Sequence, residues 1–322
     1  MKFTVTAYAG EFGCAPQSFD AVLSGQAPRI DLTELAPYAQ FKPAKQVAFT
    51  QSVLADNRID RWQILINAAL ENSNLIELSQ NAPLLMILPF VDAKFSEMQT
   101  QLIDSVIEIL PAWTTHPNNQ YYLLGSAGFY QALRQADVLL SDGMEQVVIG
   151  AVDSWATEQG LLKFVSQFSD YSSVVLPASE GAVFVVLSRQ ALSPQAQGID
   201  VLSCGMDAVI DRHTPSGLIS IVADIVAMQG EPMQHLSLCH SGDESLDQVG
   251  HNTISAVSGL YDANTQYLTP QITHGDIGAC YSVLQFLIAY HHFENKIWQG
   301  NCLQIDTASL PYVGAMGLSW FD

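Results

Sequence analysis

Three groups of residues in this chain could carry chemistry. Cys239 and His240 are neighbours in LSLCHSGDE, but successive side chains on a strand point to opposite faces, so local geometry does not make them a nucleophile–base pair. His274 and Cys280 flank the start of an apolar helix, and a fold that brings both to one pocket would make them a second pair; the alternative is a small buried cysteine in a first helical turn. Ser126, in LLGSAGF, stands at the start of another helix, where a serine acts as a nucleophile or, with no base beside it, as a cap. His240 alone reads either as a catalytic or ligand-binding histidine or as a satisfied structural residue. Asp276, just ahead of Ile277-Gly278-Ala279, reads as a helix cap. The histidines show no paired metal spacing, His291 and His292 diverge on a helix, and there is no Cys-x-x-Cys, so no metal is expected. A Gly-x-Gly-x-x-Gly turn is missing as well, and no cofactor is expected.

The elements that must position these residues are legible from periodicity. KFTVTAYA (2–9) alternates with period two and reads as a strand, and the Pro- and Gly-rich stretch to about residue 45 reads as loop. IDRWQILINAALENS (59–73) carries Ile59, Trp62, Leu65, Ile66, Ala69 and Leu70 at helical spacing. APLLMILPF (82–90) is a buried strand, and FSEMQTQLIDSVIEILPAW (95–113) is helical up to Pro111. In the stretch from Gly125 to Trp155 a helix runs to the Asp142-Gly143 stop and feeds the core strand QVVIGAV (146–152). GAVFVVLS (181–188) is a further strand. Residues 217–228 and 278–293 read as helices, and residues 235–240, 302–309 and 313–321 as strands. Alternating helices and apolar strands argue an α/β layered fold, with glycine-containing helix starts near 125 and 278 in corresponding places.

Composition narrows the partners. The chain has 322 residues, 48% of them hydrophobic and 14% charged, enough to build a large core. With 32 acidic and 12 basic residues the formal charge is 12 − 32 = −20, which repels nucleic acid and anionic lipid. It also opposes direct docking of an acidic acyl carrier protein, although Lys42, Lys45, Arg58 and Arg61 lie close enough in sequence to form a local basic patch. Five widely spaced cysteines in apolar sequence suit free thiols, and no segment looks like a signal peptide or a membrane span; a cytoplasmic protein is expected.

Four segments, in order, resemble the β-ketoacyl synthases of the thiolase-like superfamily. IDRWQILINAALE is similar to their early Asp-Arg helix, and Gly125–Ser154 to the helix after the nucleophile and its following strand. PASEGAVFVVLSR (177–189) resembles their Gly-Glu-Gly-Ala strand, in which the glutamate, here Glu180, is a buried hydrogen-bonding residue. THGDIGACYSVLQFLIAY (273–290) resembles their Gly-His-x-x-Gly-Ala-Ala-Gly helix start. The likeness spans roughly residues 55–322. In that family a cysteine begins the first helix, where the dipole and backbone N–H groups stabilise its thiolate. Counting back from Gly150 puts Gly125 at its place. His240 matches the first family histidine; at the second the order is inverted, His274-Gly275 in place of Gly-His; the upstream lysine has no counterpart in YLTPQIT; and the closing glycine loop is represented only by PYVGAMG (311–317).

The resemblance therefore implies a thiolase fold in which two similar βαβ halves, 1–190 and 191–322, form a five-layer αβαβα sandwich. It implies a pseudoenzyme of fatty-acid or polyketide biosynthesis whose degenerate site, Gly125, Ser126, His240, His274 and Gly275, still converges on one pocket, with Cys280 and Met316 in an acyl pocket. Such a protein acts as a dimeric partner or acyl-group-binding accessory. It pairs with a second copy or with an active ketosynthase, as chain-length factors do, and meets an acyl carrier protein through that partner. One alternative is an active β-ketoacyl synthase or acyltransferase that uses His240 with Cys280 or Ser126. The other is a structural accessory, because the Gly-Ser-Ala-Gly and Gly-Asp-x-Gly-Ala patterns are also similar to a cysteine-less thiolase-like branch, some members of which are encoded at type VI secretion loci.

Overall fold

A computed structural model describes residues 1–13, 19–24, 33–34, 46–50, 54–71, 73–79, 81–111, 113, 115–166, 176–189, 197–239, 244–269, 275–308 and 311–321. Its strands are β1 (Lys2–Phe12), β2 (Thr33–Glu34), β3 (Gln46–Ala48), β4 (Leu84–Ile87), β5 (Gln120–Tyr122), β6 (Gln146–Ser154), β7 (Ala178–Arg189), β8 (Gly198–Ala208), β9 (His235–Leu238), β10 (Gln266–Leu268), β11 (Asn301–Asp306) and β12 (Tyr312–Phe321). The helices are α1 (Phe19–Leu23), α2 (Arg58–Glu71), α3 (Leu75–Leu78), α4 (Ser96–Ile109), α5 (Gly128–Ser141), α6 (Glu158–Ser166), α7 (Ser216–Gln229), α8 (Glu244–Ala256) and α9 (Tyr281–Glu294).

Hydrogen bonding orders the main strands β5-β4-β6-β7-β1 in one half and β10-β9-β11-β12-β8 in the other. Numbered in chain order within each half, both run 3-2-4-5-1. In both, the fifth strand, β7 or β12, is antiparallel to its neighbours while strands two, three and four are parallel. The same topology twice is a duplicated βαβ plan. The two sheets are also hydrogen-bonded to each other at one corner, where β1 and β8 meet at Lys2↔Asp200 and Phe3↔Ile199.

Strand periodicity explains the layers. Leu84 and Met86 on β4, Val148 and Val152 on β6, and Phe184 and Val186 on β7 turn to one face, where α2 supplies Trp62, Leu65 and Ile66. Their neighbours Leu85, Ile149 and Val185 turn to the other face and meet Phe129 and Leu133 of α5 together with Leu284 and Phe286 of α9. That cluster also holds Ile199, Cys302 and Leu318 of the second sheet, so α5 and α9 lie between the two sheets. Leu303 and Ile305 point away from it onto Leu218, Val222 and Ile225 of α7. The result is five layers: outer helices, sheet, central helices, sheet, outer helices. Helix α9 is buried all round from Tyr281 to Tyr290, as a helix in a middle layer must be.

The stretch read as loop after residue 9 is more structured than its composition suggests. β1 continues to Phe12, and α1 follows, held by Phe19 stacking on Phe12 with ring centres 5.7 Å apart. Among the described residues no helix is long and apolar enough to cross a membrane.

Candidate functional site

The two central helices begin in the same way. Gly125–Ala127 and Gly278–Cys280 each form a single 3-10 turn before α5 and α9. Each turn opens on a glycine with positive φ, +64° at Gly125 and +55° at Gly278, a conformation that a side chain resists. Space adds a second reason at Gly278, where a Cβ would lie 2.0 Å from Asp153 Oδ2.

Asp153, near the end of β6, is buried. Its Oδ2 accepts the Ala279 N–H at 2.9 Å and its Oδ1 accepts the Ser154 N–H at 2.7 Å, while Arg58 Nη2 lies 3.0 Å from Oδ1. Arg58 donates through Nε to the Ser154 carbonyl at 3.2 Å, and its guanidinium carbon sits 5.9 Å from the Trp62 ring centre and 5.8 Å from that of Trp155. Asp276 does not cap α9, whose N-cap is Cys280; its Oδ1 accepts the Gly278 N–H at 2.8 Å in the 3-10 turn ahead of that helix. Desolvation, then the nearby charge of Asp153, raises its pKa to about 6.

These groups line an open cavity of about 630 Å³. Gly125, Asp153, Trp155, Asp276 and Gly278 line it together with the apolar Phe90, Phe95, Met98 and Leu102; Arg58, Lys163 and Arg212 bring positive charge, and Asp92 stands with Asp153 and Asp276 as a carboxylate. The described lining residues include no thiol and no hydroxyl.

The expected site residues fall as follows. Gly125 lines the cavity. Ser126, next to it, is fully buried, and its hydroxyl bonds to Asp306 at the end of β11. Asp306 also accepts from Ser282 Oγ at 2.5 Å and from the Ala308 N–H at 2.8 Å, while burial raises its pKa against these bonds. The tertiary structure thus brings Ser126 a carboxylate that its local sequence lacks. Gly275 is in the left-handed region at φ +72° and packs on Pro177. Cys280 is buried in the turn before α9, donates to the Gly181 carbonyl at 3.1 Å, and has its thiol pushed well above the ordinary range by burial. Met316 is buried within β12, opposite Gln304. His240 and His274 lie outside the described residues.

The basic patch expected around Arg58 and Arg61 does not include Arg61. Its side chain is 1% exposed and pairs with the fully buried Glu180, Nε to Oε2 at 2.7 Å and Nη2 to Oε1 at 2.8 Å. The guanidinium fork and the buried carboxylate are held together by the cost of leaving either charge unpaired. Lys42 and Lys45 lie outside the described residues. Sequence reasoning missed Lys163 and Arg212 as cavity residues; neither stands in a motif. Among the described residues no cluster of three or more His, Cys, Asp or Glu is placed to hold a metal ion.

The duplicated 3-2-4-5-1 sheets, the two helices between them and the cavity at their paired starts define the thiolase-like fold of the ketosynthases. No family model matches the sequence, and no curated protein does. Solved structures do. The PfaC ketosynthase–chain length factor superimposes with a TM-score of 0.70 at 12% identity; the match covers 99% of this chain and 42% of that one, so the chain spans less than half of the PfaC length. The ishigamide ketosynthase/chain length factor gives 0.66 at 14% identity and full coverage of both chains. The ketosynthase structure AntDE:AntF, in which a type II polyketide acyl-carrier protein is bound to its ketosynthase, gives 0.73 at 10% identity and 99% of both. Likeness at these identities is likeness of fold.

Proposed function

We propose that the chain is a ketosynthase-like protein that does not condense acyl units, binds an acyl group in the cavity and works as one subunit of a dimer. The observation that carries this reading is Gly125, which begins the first central helix, lines the cavity and has no side chain to attack a thioester. Ser126 is no replacement while it is buried against Asp306, and the Cys280 thiol, protonated and turned to the Gly181 carbonyl, is none either. The apolar lining of Phe90, Phe95, Met98 and Leu102 suits an alkyl or aryl chain. Support for a partner comes from the solved proteins of this fold whose titles pair a ketosynthase with a chain length factor.

The test is incubation of the purified protein with acyl and malonyl thioesters, followed by product analysis and intact mass. The expected result is no condensation product and no acyl adduct, together with a raised thermal midpoint in the presence of an acyl compound. Condensation above a boiled control would overturn the non-condensing reading. Sedimentation of the protein alone, and with an active ketosynthase encoded beside it, separates a homodimer from a heterodimer.

A further inference from the structure

The C-terminal end of α9, away from the cavity, is held by three rings. Trp298, in the turn that joins α9 to β11, has its ring centre 4.5 Å from that of His235, the first residue of β9, with 13° between the planes, and 4.6 Å from that of His292, with 34°. All three side chains are buried. Backbone carbonyls fix the imidazoles: His235 Nε2 donates to the Gln299 carbonyl at 3.2 Å and His292 Nδ1 to the Ile288 carbonyl at 2.7 Å, so each neutral ring carries its hydrogen on that nitrogen. His235 Nδ1 is buried with no hydrogen-bond partner among the described residues. A neutral ring leaves a bare lone pair there, whereas a protonated ring would leave a buried, charged N–H with nothing to accept it. No carboxylate in the surroundings offsets that. Opposite His235 stand Gln266 of β10 and the buried Cys302 of β11, the ring next to His292 is His291 at 6.1 Å, and Glu231, Asp262, Glu294 and Lys296 on the adjoining segments are exposed. Burial above all, with a smaller push from a neighbouring histidine and against the bonds to the two carbonyls, lowers the pKa of both rings.

We propose that His235, Trp298 and His292 form an acid-sensitive clasp, closed while His235 is neutral and opened when it takes up a proton, which releases the 295–300 turn from the start of β9. The turn needs such a clasp. Lys296 sits at φ +58°, a conformation that a side chain resists, and the Ile297 and Trp298 N–H groups both converge on the His292 carbonyl, at 2.8 and 3.1 Å, so the turn keeps its shape only while Trp298 stays seated on the two histidines. Attraction of a protonated His235 to the Trp298 face works against opening and is the smaller effect beside a buried N–H left without an acceptor. The sign follows from linkage: the open chain binds the proton more tightly than the closed one, so the stability of the closed clasp is fully present above the ordinary value of 6.5 and is lost as the pH falls through the lowered one.

Hydrogen exchange read by mass spectrometry, on the whole chain at about pH 7.5 and about pH 5.5 and corrected for intrinsic exchange rates, tests it. Below the ordinary histidine value, protection of the 295–300 turn should fall by up to about tenfold per pH unit, the effect of one proton, while protection of α4 in the other half stays level. His235→Gln keeps an N–H for the Gln299 carbonyl and cannot be protonated, so its turn should hold the same protection at both pH values. His292→Gln should still lose protection at the lower pH, because His235 remains. Equal protection of the turn at the two pH values in the wild type, or a loss that α4 shares, overturns the clasp whether or not His235→Gln folds. A pH-dependent loss that persists in folded His235→Gln, or vanishes in His292→Gln, overturns His235 as the group that opens it.

Discussion

Asp153 and Asp306 occupy the same place in the two halves, each at the end of its half's fourth main strand, and each holds the start of the central helix that belongs to the other half. Asp153 accepts the Ala279 N–H ahead of α9, and Asp306 binds the Ser126 hydroxyl ahead of α5. The halves are thereby latched to each other where the cavity is built. Asp153→Ala should cost about 3 kcal/mol, because it leaves Arg58 without its carboxylate and orphans two N–H groups. Asp153→Asn, which keeps an acceptor, should cost less. Urea unfolding followed by tryptophan fluorescence measures both.

Arg61 and Glu180 make a second test of buried charge. Glu180 also accepts from Thr50 and from Ser154 Oγ, so removing it strands several donors at once. Glu180→Ala is expected to destabilise by about 3–5 kcal/mol, and Arg61→Ala by a similar amount. The double variant Arg61→Met/Glu180→Leu should lose less than the sum of the two single changes, since neither charge is then left alone. Equal, additive losses in denaturant would contradict this account of the pair.

The raised pKa of Asp276 has a definite sign. Its folded value of about 6 lies above the ordinary 3.8, so the folded state holds this proton more tightly than the unfolded chain does. The stability that this adds is fully present below the ordinary value and is lost as the pH rises through the folded one. Asp276→Asn keeps an oxygen for the Gly278 N–H and has no proton to lose. The difference in unfolding free energy, wild type minus variant, should therefore fall between about pH 4 and pH 6 and level off above that. A flat difference in pH-dependent urea midpoints would show that the burial of Asp276 does not control its titration.

Gly125→Cys places a thiol in the 3-10 turn ahead of α5, where the helix dipole favours its thiolate. Attack on an acyl thioester would form the protein thioester and release the donor thiol, so an acyl mass increment is expected in the variant and not in the wild type. Condensation with malonyl thioesters is not expected. Intact mass spectrometry reads the first outcome and product analysis the second. An adduct on the wild-type chain, at Ser126 for example, would contradict the burial of that hydroxyl.

Much of the fold was legible because it is written in local periodicity. The helical spacing of Trp62, Leu65 and Ile66, the continuous apolar runs of β4 and β6, and the glycines that start the turns before α5 and α9 are features of neighbouring residues, and short-range sterics act on them directly. Asp276, expected to cap α9, instead bonds the Gly278 N–H of the 3-10 turn ahead of it. Strand β8 was not, because Asp200, Ser203 and Gly205 break its apolar pattern and its stability comes from long antiparallel pairing with β12. Strands β5 and β10, three residues each, offer too little pattern to read. The cavity was decided by tertiary structure alone. Arg58 opens α2, Lys163 rides on α6 and Arg212 precedes α7, and nothing in their own neighbourhoods marks them. They meet because strand order brings the ends of β4 and β6 beside the start of the other half's central helix. Ser126 shows the same division: its sequence gives a hydroxyl at a helix start, and only the packing of one half on the other brings it Asp306 and closes it off from the cavity.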